Sequence, residues 1–217
     1  MPKTSMPEKL MSEPTAKPAP DPYFELICLR HGPTEWNRLK RLQGRHDEPL
    51  MPQSRSDLQS LKLPMSLSGL DWYSSPLLRA RETAQQLQLD TRIAPALIEM
   101  DWGDWEGQRI VDLRLKDPAG MMAMETLGLD LCPPNGESPR QVQQRLTDWA
   151  ESMRRKGCTR AGALCHKGVI RALLAAACQW DMRGKAPVKL DYRCLQHFVW
   201  DGQQWHLRQA NLPLELR

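Results

Sequence analysis

Apolar runs of strand length alternate along this chain with segments of helical period. Residues 23–29, YFELICL, read as a strand that stops at Arg30, and a loop and short helix follow from Thr34. LDWYS at 70–74 reads as a second strand. It leads directly into SPLLRARETAQQLQL, where Ser75 is placed as the helix N-cap and Pro76 at the first helical position. Leu77, Ala80, Ala84 and Leu87 then share one face. The device recurs at Ser138-Pro139, after which Val142, Leu146, Trp149 and Met153 form an apolar stripe ending at Gly157. AGALC (161–165) predicts a strand and HKGVIRALLAAAC the helix behind it. CLQHFVWDGQQWHLRQ predicts a hairpin turning at Asp201-Gly202. Such alternation predicts an α/β fold with a mostly parallel sheet flanked by helices.

Composition divides the chain. Residues 1–22 hold six of the 18 prolines with balanced charges and no apolar leader segment, so they read as a disordered Pro-rich tail ahead of a single domain at 23–217. The longest apolar stretch, around 168–180, is interrupted by Arg171 and is too short to span a bilayer, so no membrane partner is expected. A net charge of +4 without a basic stripe gives no argument for nucleic acid. Six scattered cysteines with no CxxC spacing read as reduced thiols of a cytoplasmic protein. Cys28/His31 and Cys165/His166 have metal-ligand residue types, but a single strand points each pair in different directions, and no metal is expected.

Basic side chains gather where strands end. Arg30 and His31 follow the first strand, Arg79 lies in the first turn after the second, and His166 opens the helix after 161–165. In open α/β sheets ligands collect beyond the carboxyl ends of the strands. A lone arginine there is most often a solvated surface residue, and a lone histidine most often a cap. Together they suit a phosphoryl dianion, since arginine supplies forked donors and neutral imidazole a nucleophilic nitrogen.

LRHGPTEWN followed by QG, SSPLLRARETA, LIEMDWGDWEG, GES (136–138) and CHKGVIR occur in this order over residues 24–171. These segments resemble the motifs of the histidine phosphatase superfamily, small phosphatase branch, and imply its three-layer, phosphoglycerate-mutase-like fold. The resemblance implies a metal-independent phosphatase acting on a small-molecule phosphate ester, with no cofactor. It assigns His31 as the residue that takes the phosphoryl group and Glu99 as proton donor. Arg30, Arg79 and His166 are implied to hold the phosphoryl oxygens, with neutral hydrogen bonds from Asn37 and Gln43. Glu106, in W-E-G, is not implied to be the acid. Similarity to α-ribazole phosphate phosphatases or broad-specificity enzymes is open, as are two alternatives: a phosphoglycerate mutase, and a non-catalytic phosphate-binding protein.

The chain departs from the pattern in three places. Lys167 stands where glycine is usual; it could reach the substrate or face solvent, and solvent is the expected place. Ile98 replaces an arginine before the acid, and in the stretch 50–61 Met51 and Ser54 replace threonine and glycine. Trp36, Trp72, Trp102, Trp105 and Trp149 read as core and rim packing, with Trp102 and Trp105 nearest Glu99 in sequence. Residues 116–135 suit either a mobile cover or a packed helix. No residue pattern selects a natural substrate or an oligomeric state.

Overall fold

The computed structural model describes residues 23–217, so the reading of 1–22 as a disordered tail lies outside the described residues. Strand β1 (Phe24–Arg30) is followed by α1 (Glu35–Arg38), α2 (Pro52–Gln59) and the short β2 (Leu61–Lys62). Then come β3 (Trp72–Ser74), α3 (Leu78–Gln86), β4 (Thr91–Ile93), α4 (Ile110–Lys116), α5 (Pro118–Thr126) and the long α6 (Pro139–Arg155). The chain closes with β5 (Arg160–Cys165), α7 (Lys167–Ala177), the hairpin β6 (Leu195–Trp200) and β7 (Trp205–Leu212), and β8 (Glu215–Leu216), which pairs with β2.

The main sheet has the order β4-β3-β5-β1-β6-β7. Neighbours from β4 to β1 are parallel, and the β6–β7 hairpin adds to the β1 edge antiparallel. Period-two alternation sends the two faces of β1 into different cores. Phe24, Leu26 and Cys28 join Ala161, Ala163 and Cys165 of β5 under α6 and α7. Ile27 and Leu29 join Leu164 on the other face, against α2 and α3. Helices therefore cover both faces, and the central strands read as near-continuous apolar runs because neither side meets water.

Helix α6 starts as its sequence predicts. The Ser138 hydroxyl accepts from Gln141 N–H and the Gln141 side chain accepts from Ser138 N–H, a reciprocal cap with Pro139 behind it. Val142, Leu146, Ala150 and Met153 are buried, while Trp149 is half-buried and packs edge-on to Phe24 and Tyr73. The start of α3 differs from expectation. Its N-cap is Leu77, and the Ser75 hydroxyl accepts from Leu77 N–H while bonding His166. Ser75 is drawn off the cap because Ser75 N–H pairs with the Leu164 carbonyl, continuing the β3–β5 ladder past Ser74 and turning its side chain toward β5. Leu77, Ala80, Ala84 and Leu87 are buried on one face as the period requires.

Candidate active site

The ladder carries the histidines to one edge. Arg30 pairs with Cys165, and His31 N–H donates to the Cys165 carbonyl at 3.0 Å, so β1 and β5 end side by side. The two imidazole centroids lie 5.1 Å apart. His31 is 5% exposed and His166 fully buried. His31 Nδ1 lies 2.7 Å from the Gly32 carbonyl oxygen, which fixes the proton on Nδ1 and leaves Nε2 with its lone pair. The Gly32 amide is in turn held by Thr83 Oγ1 at 2.9 Å, and Thr83 donates to the Arg79 carbonyl. On the other side His166 Nε2 meets Ser75 Oγ at 2.7 Å. Ser75 Oγ also accepts from Leu77 N–H at 3.3 Å, and the other ring nitrogen, His166 Nδ1, has no protein partner.

Two arginines frame the pair. Arg79 has no exposed surface, and its guanidinium donates to the carbonyls of Gly44 and His46, both at 2.7 Å. Arg30 lies with its guanidinium carbon 5.8 Å from the Tyr192 ring centroid. Arg30 Nε, Arg79 Nε and His166 Nδ1 are buried without a protein partner. Two guanidinium N–H donors and a ring nitrogen, from three strand–helix junctions and each without a protein partner, make a cradle suited to an anion. Burial first, then the charges of Arg30 and Arg79, hold His31 well below the ordinary imidazole value of 6.5. His166 is lowered in the same way by burial, Arg79, His31 and Arg30. Both rings are therefore neutral at physiological pH.

Glu99, 7% exposed, sits on the N-terminus of α7, with Oε1 accepting from Met100 N–H at 2.9 Å and Oε2 from Gly168 N–H at 3.2 Å. Arg145 of α6 braces its approach by donating to the carbonyls of Ala96 and Ile98 and forking onto Glu137. Asn37 and Gln43 both turn their amide oxygens to Thr34, which caps α1, and both line the cavity. The cavity, about 840 Å³, brings together Arg30, His31, Arg79, Glu99, Asn37 and Gln43. His166 stands behind it, one residue before Lys167.

Several supporting residues lack a signal in isolation. Thr34, Ser75, Thr83, Arg145 and Glu137 act through tertiary bonds; only hydroxyls on otherwise apolar faces, as at Thr83, hint at them. Ser54, standing where glycine was expected, donates to the Pro33 carbonyl at 2.8 Å and ties α2 to the turn after His31. Met51 caps nothing, as its side chain dictates. Lys167 is exposed, as expected, and it also lines the cavity, with Nζ 5.5 Å from the Tyr192 ring centroid. Trp102 and Trp105 also line the cavity. Residues 116–135 form the packed helix α5 and a following single turn, and Met121 is buried with Trp105 and Leu113 in a small third cluster. Among the described residues no group of His, Cys, Asp or Glu side chains is placed to hold a metal ion, and no helix is long and apolar enough to cross a membrane.

A family model described as the histidine phosphatase superfamily (branch 1) matches residues 26–213. A 2,3-bisphosphoglycerate-dependent phosphoglycerate mutase of Bartonella henselae is 30% identical over 131 residues, 56% of this chain and 64% of that protein. Phosphoserine phosphatase 1 of Hydrogenobacter thermophilus is 30% identical over 137 residues, 61% of this chain and 65% of that one. The chain thus matches just under two thirds of the length of these two curated relatives. A candidate alpha-ribazole-5'-P phosphatase from Escherichia coli K-12 is 25% identical, with a TM-score of 0.71 over 87% of this chain and 96% of that one.

Proposed function

The chain belongs to the histidine phosphatase superfamily (branch 1), and from that premise we propose that it is a metal-independent phosphatase hydrolysing small-molecule phosphomonoesters through a phosphohistidine on His31. The observation that carries this reading is the fixed tautomer of His31, whose Nε2 lone pair stands between two arginines with unpartnered donors. Nε2 attacks phosphorus, the bond to the ester oxygen breaks, and Glu99 delivers its proton to the leaving alkoxide. Arg30, Arg79 and His166 hold the phosphoryl oxygens as charge spreads over them, with the amides of Asn37 and Gln43 beside them. Water then attacks phosphorus, Glu99 takes its proton, and the P–N electron pair returns to Nε2 as phosphate leaves.

The first test is hydrolysis of p-nitrophenyl phosphate in excess EDTA by wild type and His31→Ala, with acid-quenched protein examined for phosphohistidine. Activity that survives EDTA and disappears in the variant is expected. Equal activity in both proteins sinks the assignment of His31. Interconversion of phosphoglycerates without net phosphate release would replace hydrolysis by the mutase reaction.

A further inference from the structure

Lys167 and Arg171 lie one turn apart on α7 and both line the cavity that holds His31 and Glu99. Among the described residues neither forms an ion pair with a carboxylate. Arg171 lies beside the Tyr192 phenol, with its guanidinium carbon 5.0 Å from the Trp180 ring centroid. Lys167 and Arg30 approach the Tyr192 ring at 5.5 and 5.8 Å. Tyr192 is thus a partition with three cations around it. Arg30 belongs to the phosphoryl cradle, whereas Lys167 and Arg171 are in excess of what that group requires. Partial desolvation in the cavity wall, and then Arg30 and Arg171, push the Lys167 ammonium below its ordinary range, with Glu99 as the opposing charge. When Glu99 carries the proton it donates, that opposition is gone and the pair lacks a counter-ion.

We propose that Lys167 and Arg171, held by Tyr192 and Trp180, form a second anion subsite, so that the preferred substrate is a phosphomonoester bearing a further carboxylate or phosphate on its alcohol portion. This rests on the phosphatase reading. Arg171, set against the Trp180 ring, is the ordered member, and Lys167 on its flexible stem adapts to the distance between the two anionic groups. A substrate so held is anchored at both ends, which places the ester oxygen beside Glu99.

Binding separates the subsite from the chemistry. Methylphosphonate, phosphonoacetate, 3-phosphonopropionate and methylenebisphosphonate are titrated calorimetrically into wild type, Lys167→Gln and Lys167→Glu. The wild type is expected to bind at least one two-anion ligand about ten- to a hundredfold more tightly than methylphosphonate, the range for a hydrogen bond to a charged group. That ratio should fall toward unity in Lys167→Gln and below it in Lys167→Glu. The carboxylate and phosphonate ligands then tell which second anion the subsite takes. Methylphosphonate binding with no gain from a second anion, or a gain untouched by both substitutions, overturns the subsite and leaves the phosphatase reading intact. Failure of the wild type to bind any of the four overturns the phosphoryl site itself. Turnover of 3-phosphoglycerate against glycerol 3-phosphate gives the kinetic counterpart, read as the same ratio across the three proteins.

Discussion

Glu106 touches neither His31 nor His166, yet the structure ties it to Arg79. Its carboxylate accepts from the amides of Arg45 at 2.6 Å and His46 at 3.1 Å, holding residues 44–46 in the bend that starts at Gly44, φ +53°. The carbonyls of Gly44 and His46 from this bend are the acceptors that aim the Arg79 guanidinium. Replacing Glu106 by Ala removes two hydrogen bonds to a charged group, each worth about 1.5–3 kcal/mol when desolvated. Glu106 is partly exposed, so water recovers a share of that. The catalytic loss is bounded by the contribution of Arg79, about 2.7–4 kcal/mol for a donor to a developing oxyanion. Arg79 keeps its burial and its contact with the bend, and we expect a loss of about 1–2 kcal/mol, or roughly five- to thirtyfold in kcat. Glu106→Gln retains one acceptor and should lose about half as much. The assay is kcat and KM on p-nitrophenyl phosphate for Glu106→Ala, Arg79→Ala and the double variant, with urea unfolding of each. If Glu106 works through Arg79, the double variant is no slower than Arg79→Ala. Additive losses, or full activity in Glu106→Ala, would refute the coupling.

A Cβ on Gly168 would overlap Glu99 Oε1, while alanine suits the first turn of α7 better than glycine. Gly168→Ala should therefore keep or raise the urea midpoint yet slow alkyl phosphates more than aryl phosphates, because a poor leaving group depends most on the proton. Equal slowing of both would argue against Glu99 as donor. His31 and His166 are both held below 6.5 by burial and nearby arginines. Above that value folded and unfolded chains bind the same protons there. As pH falls from 6.5 toward the lowered values, the unfolded chain takes up protons the folded site refuses, and stability drops by up to about 1.4 kcal/mol per pH unit for each histidine. His31→Gln should flatten the dependence of urea-unfolding stability on pH between 6.5 and 5 in phosphate-free buffer; an unchanged slope would contradict the burial argument.

The sheet and its flanking helices were legible because their signals are local and repeated: period two in β1, an apolar stripe and reciprocal cap in α6. The cradle was legible because arginines and histidines at strand ends share an edge whatever the loops do. Ser75 misled because Ser-Pro before a helix is a strong cap pattern, and only the partner strand shows that its amide pairs with Leu164. Lys167 faces solvent as its type predicts, and its place in the cavity wall was hidden for a similar reason. A lysine is exposed by default, and nothing near it in sequence places Tyr192, some twenty-five residues on, against its ammonium. Arg145 reaches the carbonyls of Ala96 and Ile98, and Glu106 the amides of Arg45 and His46, all more than forty residues away and beyond any periodicity.

The third apolar cluster has a consequence for how the molecule opens. Trp105, Leu113 and Met121 form a small patch of their own, apart from the two large cores that clamp β1 and β5. The amide of His31 belongs to the sheet ladder and can meet solvent only when that ladder breaks. The amides of α4 and α5 answer to the smaller patch and can exchange by local opening at much lower free energy. The cavity wall is thus expected to loosen to pass a ligand while His31 keeps its place, and amide hydrogen exchange would show it as faster exchange along α4 and α5 than at His31.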